Sequence, residues 1–444
     1  MPIARDKRLP MSTPRLTLLV ILLSVLSFPA RFVHADESKS PPPAPGSQTV
    51  AGWNELLDSL RDLPDRMLAK LPEPMRQDPQ VRQEVARLAL ESLTSSALDA
   101  IGGDGDYPVF LPQIGQLLNI GQPNADTVYR VARITPGGTY RLRGRRGSLR
   151  MAIIGQLGAM PGEPGAKSSQ PGPTQGYEDV KALHIDGRGR FDVLLSPTRP
   201  PGYGGDWWQL YPSTSKLLLR MVSADWSKEQ ALTISIERVD IPMGRPRRPA
   251  ADLEQRLRRL PAATAFMALL FVNHVEQLRS QGYVNELKVF DTSQIGGLTG
   301  QFYYEGAYEL HDDEALIVEA KVPHKCTYSS MILTNEIYET TDWYDNYSSL
   351  NDAQAKPDKD GVLRIVVSSK DPGVANWLDT AGYPSGAIQG RWANCDAQPI
   401  PSIRKVALAD VRKSLPPETS TVTAEERDRL IRERRRALQE RPLW

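Results

Sequence analysis

The chain has 444 residues, 40% hydrophobic and 24% charged, an ordinary globular composition with length for two or three domains. Lysine and arginine number 54 against 53 for aspartate and glutamate, so the net charge of +1 supplies no global field to draw in nucleic acid or an anionic membrane. Recognition by this chain must therefore be local.

Residues 1–35 read as a secretory signal peptide. Arg5, Lys7, Arg8 and Arg15 precede the apolar run "LTLLVILLSVLSF", Leu16 to Phe28, and "VHA", Val33 to Ala35, supplies the small residues for cleavage before Asp36. The apolar run is thirteen residues long (28 − 16 + 1). That is shorter than the roughly 18 to 20 needed to span a hydrocarbon core, so no stable membrane insertion is expected after cleavage. A periplasmic or secreted protein follows. Residues 36–50, "DESKSPPPAPGSQTV", form a Pro/Ser linker expected to be disordered. In an oxidising compartment Cys326 and Cys395 become a candidate disulfide, worth roughly 4 kcal/mol by loop entropy, with two buried thiols as the alternative.

Residues 51–105 read as helical. Asp78 and Pro79 stand as cap and first-turn residues, and Val81, Val85, Leu88, Leu90, Leu93 and Leu98 give an amphipathic pattern that stops at Gly102 and Gly103. From 106 to 246 the period shortens. "GTYRLRGRRGSLRMAIIGQ", "GRFDVLLSP" and "ALTISIERVD" alternate or carry β-branched runs between Gly/Pro clusters, predicting a first β-sandwich of antiparallel strands. Arg141 and Arg143 share one strand face there, either as an anion site or as a solvated face that blocks edge pairing.

Residues 247–286 predict a helical connector and 287–412 a second β-sandwich, built on "FYYEGAYEL", "EALIVEAKVP", "YSSMILTNEIYE" and "GVLRIVVSS". The tail, 413–444, opens a helix with Thr423 and Glu426 at capping-box spacing, then carries dense mixed charge. A largely solvated helix is expected, with a partner-binding helix as the alternative. The fold class predicted is mainly β with helical additions: two tandem jelly-roll-like sandwiches.

Together, "NADTVYRVARITPGGTYRLRGRRG", "WWQLYPSTSKLLLRMVSADWSKEQALTISIERVD", "YELHDDEALIVEA" and "SLNDAQAKPDKDGVLRIVVSSKDPGVANWLDTAGYPSGAIQGRW" resemble the bacterial proteins carrying domain of unknown function 1214, over most of residues 124–411. The resemblance implies a tandem jelly-roll architecture, assigns no reaction and brings no residue roles. The Gly/Pro/Ser insert "GEPGAKSSQPGPTQG", Gly162 to Gly176, departs from it and reads as a flexible loop.

Familiar catalytic motifs are absent. "PGEPGAKSS" lacks the Gly-Lys pair of a phosphate loop, and "GYPSG" lacks a partner base for Ser385. His311, His324 and Cys326 have no metal-ligand spacing, so no metal and no cofactor are expected. The better constellation lies in the second β block. "WYDNY", Trp343 to Tyr347, the acidic Asp312 to Glu314 and the loop "KDPGVANWLDTAGYPSGAIQGRW", Lys370 to Trp392, place aromatics beside acids, as a sugar-like ligand requires.

On that basis Asp379 and Glu314 are the candidate acid and base, and Trp377, Asn376, Arg391, Trp343, Tyr344 and Asn351 the ligand-binding candidates. Asp379 and Arg391 are predicted to clamp the loop and hold Trp377 at a pocket rim; alternatively Trp377 plugs the sandwich core. The function expected is a metal-independent hydrolase or lyase acting on a polar, saccharide-like ligand. A non-catalytic carbohydrate-like binding module and a structural cell-envelope protein are the alternatives.

Overall fold

The computed structural model describes residues 50–442 apart from 162, 164, 165, 167–171, 293–296, 298 and 299. The expected signal peptide, the expected linker up to residue 49 and most of the 162–176 insert lie outside the described residues.

Three helices come first, α1 (Trp53–Leu68), α2 (Glu73–Gln77) and α3 (Pro79–Gly102). Asp78 caps α3 by accepting from the Gln80 amide at 2.7 Å, and Pro79 occupies the first turn, where its missing N–H costs nothing. Val81, Val85 and Leu88 then share a core with Leu63 and Met67 of α1.

The first sandwich holds β1 (Leu111–Pro112), β2 (Thr127–Arg133), β3 (Tyr140–Arg145), β4 (Met151–Leu157), β5 (Gly176–Asp179), β6 (Arg190–Ser196), β7 (Asp206–Gln209), β8 (Lys216–Val222) and β9 (Thr233–Arg238). Its sheets run β1-β2-β8-β4-β5 and β7-β6-β3-β9. After α4 (Ala250–Leu269) and α5 (His274–Ser280) the second sandwich holds β10 (Lys288–Phe290), β11 (Gln301–Glu309), β12 (Glu314–Lys321), β13 (Cys326–Leu333), β14 (Ser349–Asn351), β15 (Val362–Ser368), β16 (Trp377–Asp379), β17 (Ser385–Cys395) and β18 (Ser402–Ala407). Its sheets run β10-β11-β17-β13-β14 and β16-β15-β12-β18.

The fold is mainly β, two tandem jelly-roll-like sandwiches with helical additions, and the second strand set repeats the first position for position. Even the exception repeats: β6–β7 and β15–β16 are the parallel pairs, each at one edge of its sheet. Because β3 is flanked by β6 and β9, its arginines guard no edge; Arg141 instead forks onto Asp192 at 2.7 and 2.6 Å, and Arg143 also reaches Asp192.

Strand alternation assigns the faces. Leu217, Leu219 and Met221 of β8 enter the first core, whereas Leu218 packs outward with Tyr129 and Val131. Likewise Ile388 and Trp392 of β17 enter the second core, while Ala393 turns outward and meets Met151 and Val222 of the first sandwich. The two outward faces are thus packed together, giving four sheet layers. At their seam Asp126 accepts from Tyr328 Oη (2.5 Å), Trp226 Nε1 (2.8 Å) and Asn351 Nδ2 (2.9 Å). Cys326 and Cys395, paired across β13 and β17, form a disulfide.

The tail helix α6 (Ala424–Gln439) is largely exposed, as expected, but one face of it is buried. Arg427, Arg434 and, just past the helix, Arg441 recur every seventh residue and turn inward. Arg427 pairs with Asp371 at 2.8 Å and stacks over Tyr347; Arg434 donates to the Trp343 carbonyl and stacks 4.5 Å from the Trp226 ring; Arg441 donates to the Asp126 carbonyl. An arginine stem is apolar and its planar head stacks on aromatic faces, so a stripe of arginine can be a buried stripe. This face of the helix is occupied by the chain's own sandwiches. Accordingly Arg434→Ala should destabilise by roughly 3 kcal/mol, whereas Arg432→Ala, at a side chain 77% exposed, should change chemical-denaturation midpoints little.

Candidate functional site

The residues proposed from the loop do not assemble into a site. Trp377 is 5% exposed inside the second core, its indole Nε1 donating to Ser368 Oγ at 3.0 Å. Asp379 Oδ1 accepts from the Ala381 amide at 2.8 Å, and burial raises its pKa. The predicted clamp to Arg391 is not formed. Arg391 neighbours Trp392 on β17, and since Trp392 enters the core, Arg391 leaves by the opposite face, away from Trp377. Asn376 braces the loop by donating to the Lys356 and Arg364 carbonyls at 2.7 and 3.0 Å.

The other candidates are equally engaged. Glu314 accepts from the His311 amide (3.0 Å) and from Lys405 Nζ (2.8 Å) at the start of β12, and neither it nor Asp379 lines the cavity described next. Trp343 is buried with Trp226, Ala437 and Leu438 under the tail helix, with Tyr344 packed beside them. Asn351 belongs to the Asp126 seam. Only Arg391, of all the residues predicted, lines that cavity.

It is a space of about 800 Å3 between the outward sheet faces and α4. Tyr129, Leu218 and Arg220 come from the first sandwich, Tyr303, Gln389 and Arg391 from the second, and Phe266, Met267 and Leu270 from α4 and its end. No aspartate or glutamate is among the described residues lining it.

Arg391 is 5% exposed and its carbon Cζ lies 5.1 Å from the Tyr303 ring centre. One Nη donates to Gln389 Oε1 at 3.0 Å, but Nε has no hydrogen-bond partner among the described residues. Burial opposes its charge, yet the Tyr303, Tyr328 and Tyr129 hydroxyls and the Asp126 carboxyl leave its pKa above the ordinary arginine value. Burial also raises the Tyr303 hydroxyl, with Arg391 and Arg220 pulling against that rise.

Behind this wall a polar chain sets the arginine's position. Gln389 Nε2 donates to Tyr338 Oη (2.8 Å), Tyr338 Oη donates to Glu305 Oε2 (3.1 Å), and His274 Nε2 sits 3.0 Å from both Glu305 oxygens. Glu305 is fully buried, so each of its bonds is made out of water's reach.

Sequence reasoning missed Arg220, Tyr129, Tyr303, Gln389, Tyr338, Glu305 and His274. The available signal was the internal duplication. Ser196, Pro201-Gly202, Trp207, Tyr211-Pro212-Ser213 and Arg220 recur in order as Ser368, Pro372-Gly373, Trp377, Tyr383-Pro384-Ser385 and Arg391. Trp207 Nε1 donates to Ser196 Oγ at 2.9 Å, the same bond that Trp377 makes to Ser368. The loop is therefore one of two copies of a structural corner, and the residue of interest lies at its far end.

A solved structure of an uncharacterized protein from Burkholderia cenocepacia is similar to this chain at 28% identity and a TM-score of 0.74, covering 81% of this chain and 98% of that one. The VPA0106 protein from Vibrio parahaemolyticus is 12% identical with a TM-score of 0.42, covering 73% of this chain and 99% of its own. No family model and no curated protein matches the chain.

Two variants separate corner from cavity. Trp377→Ala should cost roughly 3–5 kcal/mol as a core truncation. Asp379 has a raised pKa, so its contribution to stability is present at low pH and declines as pH rises through that value. Asp379→Asn should therefore gain stability relative to the parent as pH climbs from about 4 to 7, read as melting temperature against pH, with no change in ligand response.

Proposed function

We propose that this protein binds a small organic anion in the cavity between its sandwiches, with Arg391 as the residue that holds the negative group. The observation that carries this is a buried guanidinium whose Nε has no partner and which no carboxylate meets among the described residues. The Tyr303 ring, Gln389 and the field of Asp126 support its charge, but a buried donor left without a hydrogen bond is costly, and an anionic ligand would complete it. Gln122, 7% exposed with Nε2 also lacking a partner among the described residues, adds a second donor lining the same cavity. Phe266, Met267, Leu270 and Phe271 suit an apolar body on the ligand.

This favours the binding-module reading over the hydrolase or lyase, whose acid pair does not converge, and replaces a saccharide with an amphipathic anion. Membership of the domain of unknown function 1214 family and export, to the periplasm or as a secreted protein, belong to the same proposal. The first is supported by the shared motifs, the second by the apolar leader and by a disulfide of the kind that lasts in oxidising compartments.

Calorimetric and thermal-shift titration with aliphatic and aromatic carboxylates tests the binding claim. Arg391→Met should weaken binding by about tenfold to a hundredfold, with the melting curve without ligand confirming that the variant is folded. A parent protein indifferent to all carboxylates, or a variant binding as well as the parent, would sink the proposal.

A further inference from the structure

Arg391 has a counterpart. Tyr303 pairs with Arg391 across β11 and β17, and at the matching place in the first sandwich Tyr129 pairs with Arg220 across β2 and β8. The next outward-facing pair along the same strands is not repeated: it is Val131 with Leu218 in the first copy and Glu305 with Gln389 in the second. One cross-strand pair has thus become polar in one copy alone, while the tyrosine and arginine stand in both.

The packing of outward face on outward face brings both pairs to one cavity, where Tyr129, Arg220, Tyr303 and Arg391 are all lining residues. Arg220 and Arg391 both act on the Tyr303 hydroxyl, so the two guanidinium fields overlap there. A third cation, Lys216, is already matched by Glu163 at 2.8 Å. Arg220 has a partner of its own as well, but a guanidinium carries five donors and can serve a partner and a ligand together.

Resting on the anion-binding reading above, we infer that the ligand is an organic dianion, two carboxylate-like groups on an apolar body, with one end held by Tyr303 and Arg391 and the other by Tyr129 and Arg220. The chemistry makes the claim sharp. In a cavity with one useful arginine, a second carboxylate would be buried without a partner and a diacid would bind worse than its monoacid. With two arginines the order reverses.

Matched probes read that order directly: hexanoate against adipate, octanoate against suberate, and decanoate against sebacate, titrated by calorimetry into the whole chain. The diacid of at least one pair should bind about tenfold tighter or more than its monoacid. Arg220→Gln should abolish that advantage, bringing the diacid's affinity down to about that of its monoacid on the same variant. Monoacids that bind while every diacid binds more weakly would overturn this inference and leave the single-anion reading standing. If neither series binds, the anion reading itself falls. The parent-protein comparison needs no variant, so a poorly folding Arg220→Gln would not rescue the claim.

Discussion

One buried carboxylate governs how the two halves of the molecule meet. Asp126 stands just before β2 in the first sandwich and draws donors from Trp226 in its own half and from Tyr328 and Asn351 in the other. Burial pushes its carboxyl above the ordinary aspartate value, against bonds from Tyr328, Asn351 and Trp226 and the field of Arg441. Such a knot is costly to form and costlier to leave half made, so it selects one relative placement of the sheet faces. The cavity beside it inherits its width from that placement. The tail helix seals the same seam, setting Arg441 on the Asp126 carbonyl and Arg434 and Arg441 against Trp226.

Duplication explains why so large a cavity sits there. Each sandwich satisfies its own core and presents one further sheet face, and two copies of one fold present the same face twice. Where the faces touch, Met151, Val222, Tyr328 and Ala393 close the gap. Where α4 and Phe271 wedge in beside them, room is left. The two walls differ at one cross-strand pair. The second copy carries the Glu305, Tyr338, Gln389 and His274 chain, which holds Arg391 in a defined orientation, while the first has apolar Leu218 at the corresponding place.

Much of the fold was legible because it rests on local periodicity. Asp78-Pro79 before an apolar stripe, alternation in "YRLRGR" and β-branched runs in "GVLRIVVSS" report helix and strand without knowledge of partners. The site was not legible in the same way. Trp377 and Asp379 drew attention by composition, yet a tryptophan in a Gly/Pro loop serves equally as a core plug, and here its indole bond to Ser368 makes it one. Arg391 was singled out with the wrong companions, because the face a strand residue takes depends on register. The tail is mostly solvated as its charge implies, but its buried face was missed, since counting every arginine as solvated ignores what aromatic faces can do for a guanidinium. Comparing the halves of the chain with one another would have found Arg220 from "YPS" alone.

The disulfide takes on a particular meaning once the faces are assigned. Arg391 and Trp392 are adjacent, one for the cavity and one for the core, and a slip of β17 by a single residue would exchange them. Tryptophan would then fill the cavity and a guanidinium would enter the hydrophobic interior. The Cys326 and Cys395 link joins two residues that are direct partners in the native pairing of β13 and β17. A covalent bond at that point acts as a register lock: it admits the one alignment in which the strand's two unlike neighbours each face the environment that can accept them.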